Sequence, residues 1–312
     1  MGSDDMAITK IATQNHEEWK ELRSKFIGGS DAAAVVGLNP YASAYSLWAE
    51  KTGKTAPFEG NLATEVGTYL EEFVAKKFEQ ETGKKVRRCN QSILNDKYPW
   101  AIANIDRELV GEDAGLEIKT TSELLTKKFA GGEFPSQYYV QCTHYLAMTG
   151  KQRWYLAVLI GNRDFKIFTI ERDETEIDAL MKAEEEFWKC VTTKTPPVAD
   201  GSNATTEALK NIYPEEKAGA IDLFGYEDCL TQYMALKNQI DELAKLKEEM
   251  ANRVKAYMGD SALAEGNRYK VSWVSQNRNT FDVKRFQQDH GHIDLAPYYK
   301  TTSSRVFKVS ER

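Results

Sequence analysis

The spacing of apolar side chains along the chain predicts amphipathic helices that alternate with short strands. Residues 61–82 and 174–192 carry apolar side chains every three or four positions, which is the repeat of one helix face. Glycines that follow such stretches, as at Gly83 and Gly150, are typical of helix ends. The helices predicted in this way cover residues 15–26, 43–52, 61–82, 136–149 and 174–192.

Shorter apolar segments between these helices predict strands. The predicted strands cover residues 85–94, 99–110, 115–120, 153–160 and 165–171. The order of helices, a small sheet, a helix, two strands and a final helix is typical of a mixed α/β (α+β) domain with one central sheet. We place this domain at residues 15–199, after an N-terminal tail over 1–14.

The pattern changes after residue 199. A polar segment rich in proline, glycine and serine predicts a linker over 200–226. Apolar side chains then recur every three or four residues over 227–258, which is close to the seam of a coiled coil. The segments 262–276 and 304–309 predict strands, so residues 227–312 are expected to form a long helix and a small β unit.

Composition narrows the classes of function. The chain has 312 residues with 41 basic and 47 acidic side chains, and this net charge of −6 argues against a protein that binds DNA or membranes by charge alone. Nothing in the sequence resembles a membrane helix or a signal peptide. The four cysteines lie far apart, which disfavours a zinc ribbon, an iron–sulfur site and a disulfide scaffold. We therefore expect a cytoplasmic protein whose metal ligands, if it binds metal, are carboxylates.

The most informative chemistry lies around two neighbouring predicted strands. Glu117 and Lys119 are two positions apart on one strand, so their side chains point to the same face, and Asp106 lies on the preceding strand. Two carboxylates that converge at a strand edge suit a hard cation such as Mg²⁺. A lysine beside them can position water or stabilise charge on a phosphate. Taken alone, the same pattern also fits a solvated hairpin with one ion pair.

Three further groups point toward the same chemistry. Glu71 lies on the predicted helix 61–82, where it either completes a metal site or is an ordinary exposed glutamate. Arg23 and Ser30 flank a Gly28-Gly29 turn, which predicts either a phosphate pocket at a helix start or simple helix capping by Ser30. Gln141 lies on a helix rich in aromatic residues and faces either the site or water.

The order and spacing of these residues resemble the YqaJ-type viral recombinases, which are relatives of phage lambda exonuclease within the PD-(D/E)xK nuclease superfamily. The resemblance covers about residues 15–195 and includes a restriction-endonuclease-like core, with a mixed central sheet flanked by helices. Its residues are Trp19, Arg23, Ile27, Gly28, Gly29, Ser30, Asp31, Gly67, Glu71, Asp106, Glu117, Lys119, Pro135, Tyr138, Tyr139, Gln141, Tyr145 and Leu146. Ile105 stands where the motif has its proline, which is not a ligand.

The resemblance implies a role for each residue that matches the family motif. The implied ligands of Mg²⁺, for which Mn²⁺ can substitute, are Asp106, Glu117, the backbone carbonyl of Ile118 and, as a supporting carboxylate, Glu71. Lys119 is expected to activate or position water, and Gln141 to lie beside the catalytic centre. Arg23 and Ser30 are expected to hold the 5′-terminal phosphate of DNA.

The implied function is a 5′-to-3′ exonuclease that acts on double-stranded DNA. It would leave 3′ overhangs for phage-type homologous recombination with a single-strand annealing protein, and relatives suggest a homo-oligomer, a ring-shaped trimer. An endonuclease of the same superfamily, in repair or restriction, is one alternative, although it would not need Arg23 and Ser30 to read a 5′ phosphate. A non-catalytic DNA-binding or assembly protein is the other, although it would not need Asp106, Glu117 and Lys119 together.

Overall fold

The chain divides into two compact units at Tyr213 and Pro214. The structure, a computed structural model, describes residues 7–302 and 304–310. The first unit contains helices α1 (His16–Ser24), α2 (Gly29–Val35), α3 (Ala44–Lys51), α4 (Leu62–Thr82), α5 (Ser136–Thr149), α6 (Glu174–Thr192) and α7 (Asn203–Ile212), and a 3₁₀ helix at Glu123–Phe129. Its strands are β1 (Ile8–Ala12), β2 (Ile27–Gly28), β3 (Val86–Arg88), β4 (Gln91–Asn95), β5 (Ala101–Ile102), β6 (Arg107–Leu109), β7 (Ala114–Thr121), β8 (Arg153–Ile160) and β9 (Asp164–Glu171).

A mixed five-stranded sheet forms the centre of this unit. Its strand order is β3-β6-β7-β8-β9, in which β7 and β8 are parallel and the other neighbours are antiparallel. Parallel neighbours need a long crossover connection, and α5 lies in the connection between β7 and β8. Two-stranded pairs, β1 with β4 and β2 with β5, extend the structure beside the main sheet. The expected mixed α+β architecture is therefore confirmed.

Strand β7 has opposite environments on its two faces. Leu116 and Ile118 pack with α4 residues Val74 and Phe78 in one apolar cluster. Glu117, between them, points to the other face, where its side chain is hydrogen-bonded by α5. The alternation of side chains along a strand explains this separation. The strand therefore contributes to the core from one face and carries polar groups on the other.

Small residues let α2 approach α5 closely. Ala32 and Ala33 of α2 are buried in a cluster with Val140 of α5. A Cβ atom added at Gly29 would lie 2.5 Å from the ring of Tyr145, so a side chain at this position would displace the ring or the helix. This close packing brings the start of α2, with Ser30, over the polar face of β7.

Three local predictions for the first unit differ from the structure. The predicted tail 1–14 contains β1, whose pairing with β4 depends on residues far along the chain, and residues 1–6 lie outside the described residues. The single strands predicted over 85–94 and 99–110 are each divided into two short strands in different sheets. Within the predicted linker 200–226, α7 is folded, because Ala208 is buried against the α3 region and the Thr205 hydroxyl donates to Ser43 Oγ over 2.8 Å.

The second unit is built around helix α8 (Glu227–Met258). It also contains an antiparallel pair, β10 (Leu263–Glu265) and β11 (Lys270–Ser272), helix α9 (Val283–Asp289) and a 3₁₀ helix at Ala296–Tyr298. The predicted strand over 262–276 is thus a hairpin, and residues 304–309 form no strand in the described chain, since no neighbouring strand pairs with them. In the described part of the chain, no helix has the length and apolar character needed to cross a membrane.

Candidate active site

A cavity of about 190 Å³ opens between the start of α2, the polar face of β7 and helix α5. Six residues with expected catalytic or DNA-binding roles line it together: Arg23, Ser30, Asp106, Glu117, Lys119 and Gln141. Trp19, Gly28, Gly29, Asn104 and Tyr145 complete its wall. Residues separated by more than 100 positions in the sequence therefore share one small polar space.

Asp106 and Ile118 meet where the antiparallel pairing of β6 with β7 ends. Asp106 lies immediately before β6, and its Oδ2 accepts a hydrogen bond of 2.7 Å from the backbone N–H of Ile118. The Asp106 carboxylate thus accepts the hydrogen bond that a backbone carbonyl would accept if the pairing of β6 with β7 continued. The N–H and C=O of one strand residue point to the same side of the strand, so the carbonyl of Ile118 is also directed toward the Asp106 side.

Glu117 is almost fully buried, with 2% of its surface exposed. Its Oε1 accepts a 2.8 Å hydrogen bond from Gln141 Nε2 and forms an ion pair with Lys119. Its Oε2 has no hydrogen-bond partner among the described residues, although it is buried. A buried carboxylate oxygen without a partner is costly, unless a cation or another donor binds there.

The charges in the cavity perturb one another. Burial, followed by the nearby charge of Glu117, raises the pKa of Asp106 well above its usual range. Burial alone would lower the pKa of Lys119, but the carboxylates of Glu117 and Asp106 outweigh it and raise that pKa. Two crowded carboxylates, opposed here by one lysine, are an arrangement that a divalent cation stabilises.

The donor set therefore fits a divalent metal ion. Asp106 and Glu117 supply hard carboxylate oxygens, Glu117 Oε2 is unpartnered, and the Ile118 carbonyl is directed to the same side. No group of three or more His, Cys, Asp or Glu side chains that could hold a metal occurs in residues 7–302 and 304–310. A site here thus depends on two carboxylates and the main chain.

Glu71 lies apart from this cavity. Its carboxylate pairs with the guanidinium of Arg107, which also binds Glu72 over 3.2 Å. Arg107 is 3% exposed and donates to the backbone carbonyl of Asp106 over 2.8 Å. The structure therefore connects Glu71 to Asp106 through a buried arginine that sequence reasoning missed, rather than placing it on the cavity wall.

The phosphate pocket expected from the sequence differs in one detail. Ser30 is not the N-cap of α2, because the helix begins at Gly29 and Gly28 is its N-cap. The side chain of Asp31 accepts a hydrogen bond of 3.1 Å from the Gly28 N–H. Ser30 Oγ is instead hydrogen-bonded by the Arg23 guanidinium. The serine hydroxyl thus faces the cavity beside Arg23.

Asp31 also holds two cations in place. Its Oδ2 is 2.9 Å from Lys51 Nζ, whose side chain is only 4% exposed, and its Oδ1 is 3.4 Å from the Arg23 guanidinium. Burial raises the pKa of Asp31, but the charges of Lys51 and Arg23 outweigh that effect and lower it. Neither Asp31 nor Lys51 was assigned a role from the sequence, since their pairing spans separate helices.

A hydrogen-bond network supports the cavity wall. Gln141 Nε2 donates to the Tyr145 hydroxyl over 2.9 Å, and this hydroxyl donates to the carbonyl of Asn104 over 2.9 Å. The indole N–H of Trp19 donates to Asn104 Oδ1 over 2.9 Å, and the Arg23 guanidinium lies 5.4 Å from the Trp19 ring. The family motif includes Trp19 and Tyr145, whereas Asn104 received no role from the sequence.

A buried pair lies behind the cavity. His144 of α5 and Glu184 of α6 are both 0% exposed, with His144 Nδ1 2.8 Å from Glu184 Oε1 and Nε2 3.1 Å from the carbonyl of Ile102. Burial would lower the pKa of His144, but the Glu184 carboxylate and the hydrogen bonds raise it. This pair was not predicted, and it fixes α5, which carries Gln141 and Tyr145, against α6.

The sequence and the fold are similar to those of known proteins. Residues 18–152 match the family described as YqaJ-like viral recombinase domain. The chain is 38% identical over 310 residues to the uncharacterized protein YqaJ of Bacillus subtilis (strain 168), with 97% of each chain covered. The structure is similar to an alkaline exonuclease, LHK-Exo, from Laribacter hongkongensis, with a TM-score of 0.50, 22% identity and coverage of 57% of this chain and 94% of that one. The resemblance expected from the sequence motifs is confirmed.

Proposed function

This chain belongs to the YqaJ-like viral recombinase family, and we propose that it is a Mg²⁺-dependent exonuclease that degrades one strand of double-stranded DNA from 5′ to 3′. One observation carries the proposal. Arg23 and Ser30 open into the same small cavity as Asp106, Glu117 and Lys119. A strand whose terminal phosphate is bound by Arg23 therefore has its first phosphodiester close to the carboxylates. An endonuclease has no need to bind a terminal phosphate at this position.

Asp106, Glu117 and the carbonyl of Ile118 are the groups that would hold the cation, with Mn²⁺ as a substitute for Mg²⁺. When bound, the metal would supply charge neutralisation at the phosphate and activation of water. Support for this assignment comes from the unpartnered Glu117 Oε2 and from the raised pKa of Asp106, which is caused first by burial and then by the nearby charge of Glu117. The chain itself contributes the placement of these oxygens.

The remaining polar groups orient the reactants. Lys119 lies against Glu117, with its ammonium 5.5 Å from the Tyr138 ring, and from there it would position water and stabilise negative charge on the phosphate. Gln141 holds Glu117 Oε1 in place through its amide and is itself bound to Tyr145. Glu71 would act through Arg107, which fixes the backbone at Asp106, and so support the metal site indirectly.

The 5′ phosphate would bind at Arg23 and Ser30. A terminal phosphomonoester carries nearly two negative charges near pH 7, whereas an internal diester carries one. The Arg23 guanidinium and the Ser30 hydroxyl offer charge-assisted and neutral hydrogen bonds that favour the dianion. Asp31 keeps the guanidinium at the cavity, so the pocket is already assembled before DNA arrives.

The products would be mononucleotides and duplex DNA with 3′ single-stranded overhangs. Such overhangs are the substrate of strand annealing, so a single-strand annealing protein in a phage-type homologous recombination reaction is the expected partner. The family resemblance also implies a homo-oligomer, with a ring-shaped trimer as the expected form of the nuclease unit. A reaction on phage or bacterial DNA would place the protein in the cytoplasm of the host cell.

The test uses linear duplex DNA labelled at either the 5′ or the 3′ end of one strand. With Mg²⁺, the 5′ label is expected to appear first as a mononucleotide, and chelation of the metal should stop the release. Covalently closed circular duplex is the control and should remain intact.

Two results would overturn the proposal. Nicking of the closed circle would support the endonuclease alternative. Binding of duplex ends without any metal-dependent cleavage would support a non-catalytic DNA-binding protein.

A further inference from the structure

Helix α8 carries a heptad seam along one side. With Tyr233 at position a, the a and d positions alternate by three and four residues from Tyr226, which caps the helix, to Tyr257. The residues at these positions, called the seam below, are Tyr226, Cys229, Tyr233, Leu236, Ile240, Leu243, Lys247, Met250, Val254 and Tyr257. Ten consecutive a and d positions, of which one is charged, are the pattern of a coiled-coil strand.

The apolar side chains of the seam are exposed. Their exposed fractions range from 41% at Val254 to 89% at Tyr257. Tyr233 touches the ring of Phe307, with a centroid distance of 5.8 Å, and is still 42% exposed. The more shielded residues of α8, such as Met234 and Met258, fall at heptad positions b and e, to one side of the seam. The helix therefore packs with one face and leaves the seam uncovered.

The charges of α8 are arranged for pairing through the seam. Its acidic residues all fall at b or c positions, on the side away from the seam: Glu227, Asp228, Asp241, Glu242, Glu248 and Glu249. The flanking e and g positions carry Lys237 and Arg253 and are otherwise uncharged. A second copy of the helix would therefore meet no acidic flank, and the two cationic positions lie more than two heptads apart.

We propose that α8 pairs with α8 of a second copy of this chain as a parallel, in-register, two-stranded coiled coil. Ile240 and Val254 are β-branched residues at a, and Leu236 and Leu243 occupy d, which is the combination that favours two parallel strands. Lys247 is the one charged residue of the seam. A single lysine at an a position sets register and strand number at some cost in stability.

The seam is large enough for such a partner. The helix has 32 residues and is therefore about 48 Å long. Burial of three tyrosines and five aliphatic side chains would remove roughly 600 Å² from each helix, or about 1,200 Å² in total, which reaches the range of stable, specific interfaces. Because two-fold pairing involves only α8, it would join two copies whatever the oligomeric state of the nuclease unit.

Cys229 provides a direct test, because it is exposed and occupies a d position. In-register parallel pairing places Cys229 opposite its own copy, within the Cα separation that a disulfide spans. The full chain, with Cys89→Ser and Cys190→Ser to remove other accessible thiols, is expected to form a disulfide-linked dimer under mild oxidation. Leu243→Asp in this background should weaken the pairing about 100-fold, since it buries an unpaired charge.

Asn238→Asp is the matched control, since it adds the same charge at an f position, away from the seam. It should retain the cross-link, and light scattering should show a lower mass for Leu243→Asp than for Asn238→Asp. Circular dichroism of both variants would confirm that α8 is still helical. Absence of the Cys229 cross-link, or an equal mass for the two variants, would overturn the proposal and assign the seam to a partner of different sequence.

Discussion

The two units use charge and apolar surface in opposite ways. In the first unit, charged and titratable groups are buried and held by partners: Lys51 by Asp31, Arg107 by Glu71, and His144 by Glu184. In the second unit, the charges of α8 lie in solvent and its apolar seam is exposed. Buried charges need fixed partners, whereas an exposed apolar stripe needs a surface to cover it. The first unit thus contains the partners of its own buried polar groups, whereas the second unit needs another surface to cover its apolar seam.

This contrast explains why the candidate active site lies where it does. The cavity groups are positioned by contacts made between helices and strands of one unit. The carboxylates cannot be moved without breaking the hydrogen bonds from the Ile118 N–H and from Gln141 and the ion pair with Lys119, and such preorganisation is what catalysis needs. Four variants test the contrast, and they are ordered by the size of the expected effect.

The largest effect is expected for Asp106→Ala. Loss of this carboxylate removes one of two acidic side chains that face the cavity, so Mg²⁺-dependent release of nucleotides should fall by about 10³-fold or more. Affinity for duplex ends should change little, because Arg23 and Ser30 remain. The measurement is the initial rate of 5′-label release together with binding in the absence of metal. Asp113→Ala, at an exposed position in the turn after β6, is the matched control, and cleavage at the normal rate by Asp106→Ala would refute the site.

Asp31→Asn should lower the free energy of unfolding by about 3 kcal/mol at pH 7, because it leaves Lys51 buried without its counter-ion. The pKa of Asp31 is lowered below 3.8 in the folded state. Stability from this carboxylate is therefore present above about pH 4 and is lost as the pH falls through the folded-state pKa. Chemical denaturation of wild type and variant at pH 7 and pH 3 measures this difference. It should be smaller at pH 3 than at pH 7, and a difference independent of pH would show that the ionised carboxylate contributes nothing.

Arg23→Ala should slow digestion of 5′-phosphorylated duplex by about 10- to 100-fold, since charge-assisted hydrogen bonds of roughly 1.5–3 kcal/mol are lost. Digestion of 5′-hydroxyl duplex should be affected much less. Lys25→Ala is the control, because Lys25 lies directly after the same helix and pairs with exposed Glu21. An equal loss on both substrates would mean that Arg23 does not read the terminal phosphate.

The smallest effect is expected for Leu243→Asp on the first unit. Leu243 is exposed in the single chain, so the unfolding free energy of the nuclease unit should change by less than about 0.5 kcal/mol, and cleavage of linear duplex should proceed at the normal rate. Thermal unfolding followed by tryptophan fluorescence reports on the first unit, because most tryptophans of the chain lie in that unit. A large loss of stability would show that the unfolding free energy of the first unit depends on the second unit.

Some of the fold follows from local sequence patterns. The bounds of α4, α6 and α8 agree with the apolar repeat and the capping residues, because helices are stabilised by contacts between near neighbours. The alternation along β7 placed Glu117 and Lys119 on one face for the same local reason. The motif spacing also brought Arg23, Ser30 and Gln141 to attention, and the structure places all three at one cavity.

Other features depend on residues that are distant in the sequence. The five residues of β1 have no clear alternation, and they form a strand only because β4, some 83 residues later, offers an edge. Ser30 suits an N-cap, but α2 begins one residue earlier with Gly28 as its N-cap. Asp31, inside the first turn, accepts from the Gly28 N–H and pairs with Lys51, a helix away. Glu71 was placed near a metal by its motif, yet Arg107 binds it from the start of β6.

The sequence by itself therefore determined the helices, the polar face of β7, the heptad seam of α8 and the set of residue types that suit phosphodiester chemistry. Only the tertiary structure decided which of these residues are partners: Gln141 with Glu117, His144 with Glu184, and Arg107 with Glu71. The physical reason is that periodicity and capping arise from neighbours within one or two turns, whereas pairing of buried polar groups depends on how whole elements pack. The local sequence gives the type of each side chain, but the packing of whole elements decides which atom is its hydrogen-bond or ion-pair partner.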